Sequence, residues 1–259
     1  MERDDQAEAA RGKSRGEAVY QGLRRAIIEA ALRPGTKLPE DAVGESFGVS
    51  RTVVRGVLTR LAGEGLVTQQ ANRRAVVAAP TLEEARDLFR VRRGLERTVV
   101  ELLAGRLARE QVMRLVDHVE QEAEIEGRDG PASIRLAGEF HLLLAEMTGN
   151  EILNRYVNEV VSRGSLVLAI YGRPHSSDCA VNEHRELIAA LAEGKAQRAV
   201  ELMDQHLAGV ASRALLEHPA HRERDLSELL LPYAKGGAGR PQEQPSKVVP
   251  LTAERKARS

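Results

Sequence analysis

Three histidines stand in similar settings along the second half of the chain. They are His141 in Glu139-Phe140-His141, His184 in Asn182-Glu183-His184-Arg185-Glu186-Leu187-Ile188, and His206 in Leu202-Met203-x-x-His206-Leu207. Imidazole suits zinc, nickel, iron and manganese, so three of them brought together would hold a divalent ion and leave positions open for water or an acidic ligand. A single histidine among apolar neighbours is more often a hydrogen-bonded core residue than a ligand, and three in matching settings shift that balance. A different chemistry stands nearer the N-terminus. Arg51 and Arg55 lie four residues apart and so project from one helix face, close to an N-terminal end where phosphates are also favoured. Between Ser50 and Arg74 the basic residues Arg51, Arg55, Arg60, Arg73 and Arg74 meet a single acid, Glu64. Local clustering of this kind, and not the formal net charge of +0, is what matters for a phosphate backbone.

The elements that must position these groups are helical. The chain has 259 residues, 42% of them hydrophobic but only 3% aromatic and none Trp, which predicts helices packed through aliphatic contacts and enough length for two cores. Ala18, Val19, Leu23, Ala26, Ile27 and Ala30 recur at helical spacing before the turn residues Arg33-Pro34-Gly35-Thr36. A short helix is expected from near Pro39. Gly48 then suits a left-handed helix end and Ser50 a cap accepting from the amide of Val53, which together make the turn of a helix-turn-helix. The next helix turns Val53, Val54, Val57, Leu58 and Leu61 inward and ends at Gly63-Glu64-Gly65. Residues 66–68 and 75–78 are expected as two strands flanking a polar, basic loop.

After Pro80 a capping box, Thr81-x-x-Glu84, opens a long amphipathic helix. Six helices are expected at about 81–107, 110–126, 131–147, 150–170, 178–193 and 195–217, divided by Gly127, Gly149, the break Tyr171-Gly172-Arg173-Pro174 and Gly194. The fold class is therefore mostly α, an N-terminal winged helix-turn-helix with a small β-hairpin wing over 17–79, followed by a six-helix antiparallel bundle over 80–218. Residues 1–16 and 219–259 read as disordered tails. The lone Cys179 offers no intramolecular disulfide, the first residues hold no apolar core for a signal peptide, and no stretch approaches the roughly 18 apolar residues of a membrane span. A cytoplasmic location is expected.

Pro34-Gly35-Thr36-Lys37-Leu38, Gly48-Val49-Ser50-Arg51-Thr52-Val53-Val54-Arg55, Leu61-x-x-Glu64-Gly65-Leu66-Val67 and Asn72-Arg73-Arg74-Ala75-Val76-Val77 resemble the head of GntR-type bacterial transcriptional regulators. The resemblance spans about residues 18–79, and the helical half resembles the FCD effector domain of the FadR branch. It implies a homodimer on a double-stranded DNA operator, more often a repressor released by its effector. Arg51 and Arg55 would contact guanine edges or phosphates, Ser50 and Thr52 the backbone, and Arg73 or Arg74 the minor groove through the wing. Some relatives carry a contacting Arg where this chain has Asp41, and the wing usually has Gly where this chain has Arg74.

The three histidines resemble the metal-binding subset of FCD domains, which implies a shared divalent ion such as zinc, nickel or manganese. That subset carries an Asp four residues before the first histidine, where this chain has Ala137. Arg92 matches an FCD arginine that faces the effector pocket, and its guanidinium fork suits a carboxylate, so a small organic acid is the implied effector. A surface salt bridge between Arg92 and Glu96 is the plainer alternative. The rivals for the whole site are a metal-dependent hydrolase, which lacks a His-Glu-x-x-His spacing and leaves the head without a purpose, and a purely structural metal. No enzymatic activity is expected.

Overall fold

A computed structural model of the chain describes residues 2–70, 74–126, 130–171 and 180–214, together with 226, 230 and 233. The described residues form helices α1 (Glu2–Ile28), α2 (Glu40–Phe47) and α3 (Arg51–Gly63), then strands β1 (Val67–Gln70) and β2 (Arg74–Val77). Helices α4 (Leu82–Leu103), α5 (Arg109–Ile125), α6 (Gly130–Met147), α7 (Glu151–Tyr171), α8 (Ala180–Ala192) and α9 (Ala196–Ala214) follow. This is a winged helix-turn-helix joined to a six-helix bundle. The expected breaks at Gly127 and at 172–174, and also Cys179, lie outside the described residues.

Local chemistry sets the head. Gly48 closes α2 at φ 66, and its amide and that of Val49 return to the carbonyls of α2. Ser50 then caps α3, its side chain accepting from the Val53 amide at 3.5 Å. The strands pair antiparallel with Val67 opposite Val77 and Gln70 opposite Arg74. The free edge of β2 is covered by the segment before α2, with Leu38 N donating to Ala75 O at 2.8 Å and Val77 N to Thr36 O at 2.9 Å. Leu23, Ile27, Leu38, Val54, Leu61 and Leu66 are almost fully enclosed beneath this frame.

In the second half, Thr81 caps α4 through the expected box, with Glu84 N donating to Thr81 Oγ1 at 3.2 Å and Thr81 N to Glu84 Oε2 at 2.7 Å. Val99, Val100, Leu115, Phe140, Leu144, Val157, Leu191 and Met203 form the bundle core. The two cores meet at α7, whose Leu166 is fully buried among head residues. Gly65, at φ 69, is pressed so closely by Arg163 of α7 that an added Cβ would lie 2.6 Å from its Cδ.

The expected tail over 1–16 needs correction, and of the tail expected over 219–259 only residues 226, 230 and 233 are among the described residues. Residues 2–16 continue α1 instead of standing apart from it. Their Ala, Glu, Gln and Arg are strong helix formers, and a missing apolar stripe speaks against a buried face and not against a helix. Within 219–259, Leu226, Leu230 and Tyr233 pack against the head, and Leu230 is fully buried there. They stand at i, i+4 and i+7, a helical spacing that a Pro- and Gly-rich composition obscured. Tyr233 Oη donates to Glu29 Oε2 at 2.9 Å, and Glu29 also accepts from Arg25 of α1 and Arg135 of α6.

Candidate functional site

Ser50, Arg51, Thr52 and Arg55 are all exposed on one side of the start of α3, while Val54, Val57, Leu58 and Leu61 bury the other. Arg74 lies in β2 and pairs with Gln70, whereas Arg73 lies outside the described residues. The arginines of α3 are not bare. Arg55 grips Glu40 with Nε and Nη2 on its two carboxylate oxygens at 2.9 and 2.8 Å, and Arg51 pairs with Asp41. Arg60 points elsewhere, over the ring of Tyr20 at 3.3 Å and onto Glu17 at 2.7 Å. The basic run Ser50–Arg74 thus meets acids from α1 and α2 that linear sequence does not place beside it.

The three histidines converge at the centre of the bundle, from α6, α8 and α9. They are 2%, 1% and 4% exposed, and one ring nitrogen from each lies within 4.8 Å of the others. His141 Nε2 is 3.2 Å from His206 Nε2. Each opposite nitrogen is held by a carboxylate. Nδ1 of His141 pairs with Glu96 Oε2, Nδ1 of His184 donates to Glu122 Oε2 at 2.9 Å, and Nδ1 of His206 donates to Glu183 Oε2 at 2.6 Å. The Phe140 ring stacks on His184 with centroids 3.9 Å apart and fixes its plane.

These contacts decide the tautomers. An ionised carboxylate only accepts, so each Nδ1 carries a proton, and a ring that is neutral then presents its Nε2 lone pair. Burial opposes the charge on Glu96, but His141 and Arg92 beside it hold the carboxyl at about 2. Glu122 likewise resists burial through hydrogen bonds from His118 and His184 and stays at about 2. Burial pushes His141 down to about 3, and burial also lowers His206. The neutral rings of His141 and His206 therefore aim lone pairs at each other in the buried core, and the buried Nε2 of His184 has no hydrogen-bond partner. Lone pairs converging so closely repel, and a cation relieves them. The donor set fits a divalent ion of the zinc, nickel or manganese kind.

Beside the histidines lies a cavity of about 40 Å³, lined among others by Arg92, Ala137, His141, Ser165 and His206. That is room for roughly three water-sized groups. Ala137 sits one turn below His141 on this wall, so the space a carboxylate at 137 would fill belongs to the cavity. Arg92 is not a surface residue. It is 4% exposed and its Nε donates to Glu96 Oε1 at 2.6 Å, which joins it through one carboxylate to His141. Glu139 faces away and pairs with Arg135 at 2.8 Å.

The carboxylates behind the histidines escaped sequence analysis as a set, although a signal existed. Glu122 continues the stripe Leu115, His118 and Val119, and Glu96 continues Leu88, Arg92 and Val99; an acid on an apolar stripe needs a buried partner.

The chain matches the family described as "Bacterial regulatory proteins, gntR family" over residues 15–77 and the family described as "FCD domain" over residues 87–209. It is 29% identical to the transcriptional regulator LutR of Bacillus subtilis (strain 168) over 206 residues, covering 71% of this chain and 94% of that protein. The transcriptional repressor RspR of Escherichia coli (strain K12) is 24% identical over 191 residues, covering 73% and 84% respectively. A GntR regulator from Rhodococcus sp. RHA1 superposes with a TM-score of 0.67 at 26% identity, covering 78% of this chain and 98% of that one. These relatives are regulators and not enzymes, so the hydrolase alternative falls away. No helix among the described residues is long and apolar enough to cross a membrane. The chain belongs to the GntR family of bacterial regulators: it is a ligand-responsive, DNA-binding transcriptional regulator whose GntR head is followed by an FCD domain.

Proposed function

We propose that this regulator is a cytoplasmic homodimeric repressor, released from its operator when a small carboxylate enters the cavity beside a divalent ion held by His141, His184 and His206. The carrying observation is the convergence of three carboxylate-anchored imidazoles on one point, with the guanidinium of Arg92 in the same cavity wall. The ion would polarise and neutralise the incoming acid. Arg92 would balance its charge, and the space beside Ala137 would receive it. Symmetry of a dimer would be mirrored in a palindromic operator, since one head spans too few bases for specificity.

Helix α7 is the element through which occupancy reaches the head. Val161, Ser165 and Leu168 line the cavity, while neighbouring positions of the same helix hold the head. Ser162 Oγ accepts from Arg24 Nη2 at 2.9 Å, and Leu166 enters the head core. A ligand shifts the operator equilibrium by the difference in its affinity for the two placements of the head.

The test pairs metal with acid. Chelator-treated protein is loaded with zinc, nickel or manganese, and operator binding is titrated with two- to four-carbon carboxylates. The expected result is release at millimolar acid or below in metal-loaded protein, weakened at least tenfold in metal-free protein and in Arg92→Gln. Equal release with and without metal would overturn the metal's part, and no release by any acid would overturn the ligand class.

A further inference from the structure

Asp41 stands at the start of α2, 63% exposed at its side chain, and ion-pairs with Arg51, whose side chain is 71% exposed at the start of α3. Exposed pairs of this kind contribute little to folding stability, and an acid in the first turn of α2 suits the helix dipole, a role that Glu40 in the same turn also fills. Affinity for DNA gives a reason against Asp41, because a carboxylate paired with a contacting arginine cancels positive charge that would otherwise meet phosphates. The arrangement gains sense if the acid meets a base edge instead. In the major groove a G·C pair offers the acceptors O6 and N7 on guanine and the donor N4 on cytosine. Arg51 and Asp41 present the complement, donors and an acceptor side by side on one exposed edge.

Resting on the DNA-reading role of α3, we propose that Asp41 is a specificity-determining residue, reading with Arg51 one G·C pair in each operator half-site. Arg51 donates to guanine O6 and N7, and Asp41 accepts from cytosine N4. Arg51 then keeps its carboxylate partner on DNA, which holds the guanidinium plane and withholds it from phosphates. Arg55 with Glu40 repeats the donor and acceptor geometry one turn along α3. Asp41 therefore favours cytosine by attraction and disfavours non-specific DNA by repulsion.

The experiment selects binding sites from a random duplex library with the full-length protein and with Asp41→Ala, Asp41→Asn and Arg51→Ala. Wild-type protein should return a G·C pair at one symmetric position. Asp41→Ala should lose that preference at the same position that Arg51→Ala loses, bind non-specific DNA at least threefold more tightly, and depend more steeply on salt. Replacing that cytosine in the wild-type operator with a pyrimidine lacking the N4 amino group should weaken wild-type binding about tenfold and leave Asp41→Ala unchanged. An unaltered selected sequence in Asp41→Ala, or equal loss in both proteins with the altered base, overturns the proposal while leaving the DNA-reading role intact. Failure of the wild type to select any sequence overturns both.

Discussion

His184 Nδ1 donates to Glu122 Oε2 at 2.9 Å, and this single bond leaves His184 Nε2 buried and without a hydrogen-bond partner where it approaches His141 and His206. If the three rings form one metal site, purified protein holds close to one divalent ion per subunit. His141→Ala, His184→Ala and His206→Ala each lose it, and double variants lose little more, because ligands of one ion act as a unit. Glu122→Gln keeps the histidines but weakens their anchor, and should lower metal affinity about 10- to 100-fold. Metal analysis after dialysis checks both, and additive packing losses with unchanged metal content would mean independent core histidines.

Ala137 and His141 line the same wall of the cavity. Ala137→Asp therefore places a carboxylate one turn below His141, within reach of the ion, and should raise metal affinity at least tenfold while lowering the response to added acid. Calorimetric titration with zinc measures the first effect and operator release the second. A variant that binds metal no better than wild type would show that position 137 does not face the ion.

Acid should destabilise the metal-free protein. Burial moves His141 from its ordinary 6.5 to about 3 and also lowers His206, so the unfolded chain binds more protons than the folded one below about pH 6.5. Their stabilising contribution is complete above 6.5 and is lost as pH falls through the folded values. His118, raised chiefly by Glu122 against its burial, works in the opposite sense and offsets part of the loss. The net slope is about 1.4 kcal/mol per pH unit for each extra proton taken up on unfolding. Chelator-treated protein should melt progressively lower from pH 7 to pH 5, and a flat profile would contradict neutral buried imidazoles.

Removal of residues 219–259 should loosen the head. Leu230 is fully buried in the head core, so Leu230→Ala alone should cost about 2–3 kcal/mol. Tyr233→Phe removes the donor to Glu29, where α1 and α6 also meet, and should cost about 1 kcal/mol. Urea unfolding of the full-length chain and of a chain ending at residue 218 measures the difference. Identical midpoints would show that the segment adds nothing.

What could be known without coordinates followed from local rules. Gly48 and Ser50 mark the turn of the helix-turn-helix because backbone conformation and capping are decided within a few residues, and the Thr81 to Glu84 box marks α4 for the same reason. Helical periodicity places all six later helices within a few residues of their observed ends, because the apolar stripe of each is written in its own segment. The same stripes put Arg51 with Arg55 on one exposed face and turn His141, His184 and His206 inward. Only the tertiary structure decided which partners meet these groups. Glu96 reaches His141 across 45 residues and Glu122 reaches His184 across 62. Asp41 and Glu40 come to Arg51 and Arg55 through the packing of α2 on α3. Leu230 and Tyr233 pack onto the head from a segment whose composition argued for a tail. Periodicity gives the direction of a side chain around its own helix axis. The charge and tautomer of a buried group depend on what lies opposite it, and helix packing alone sets that.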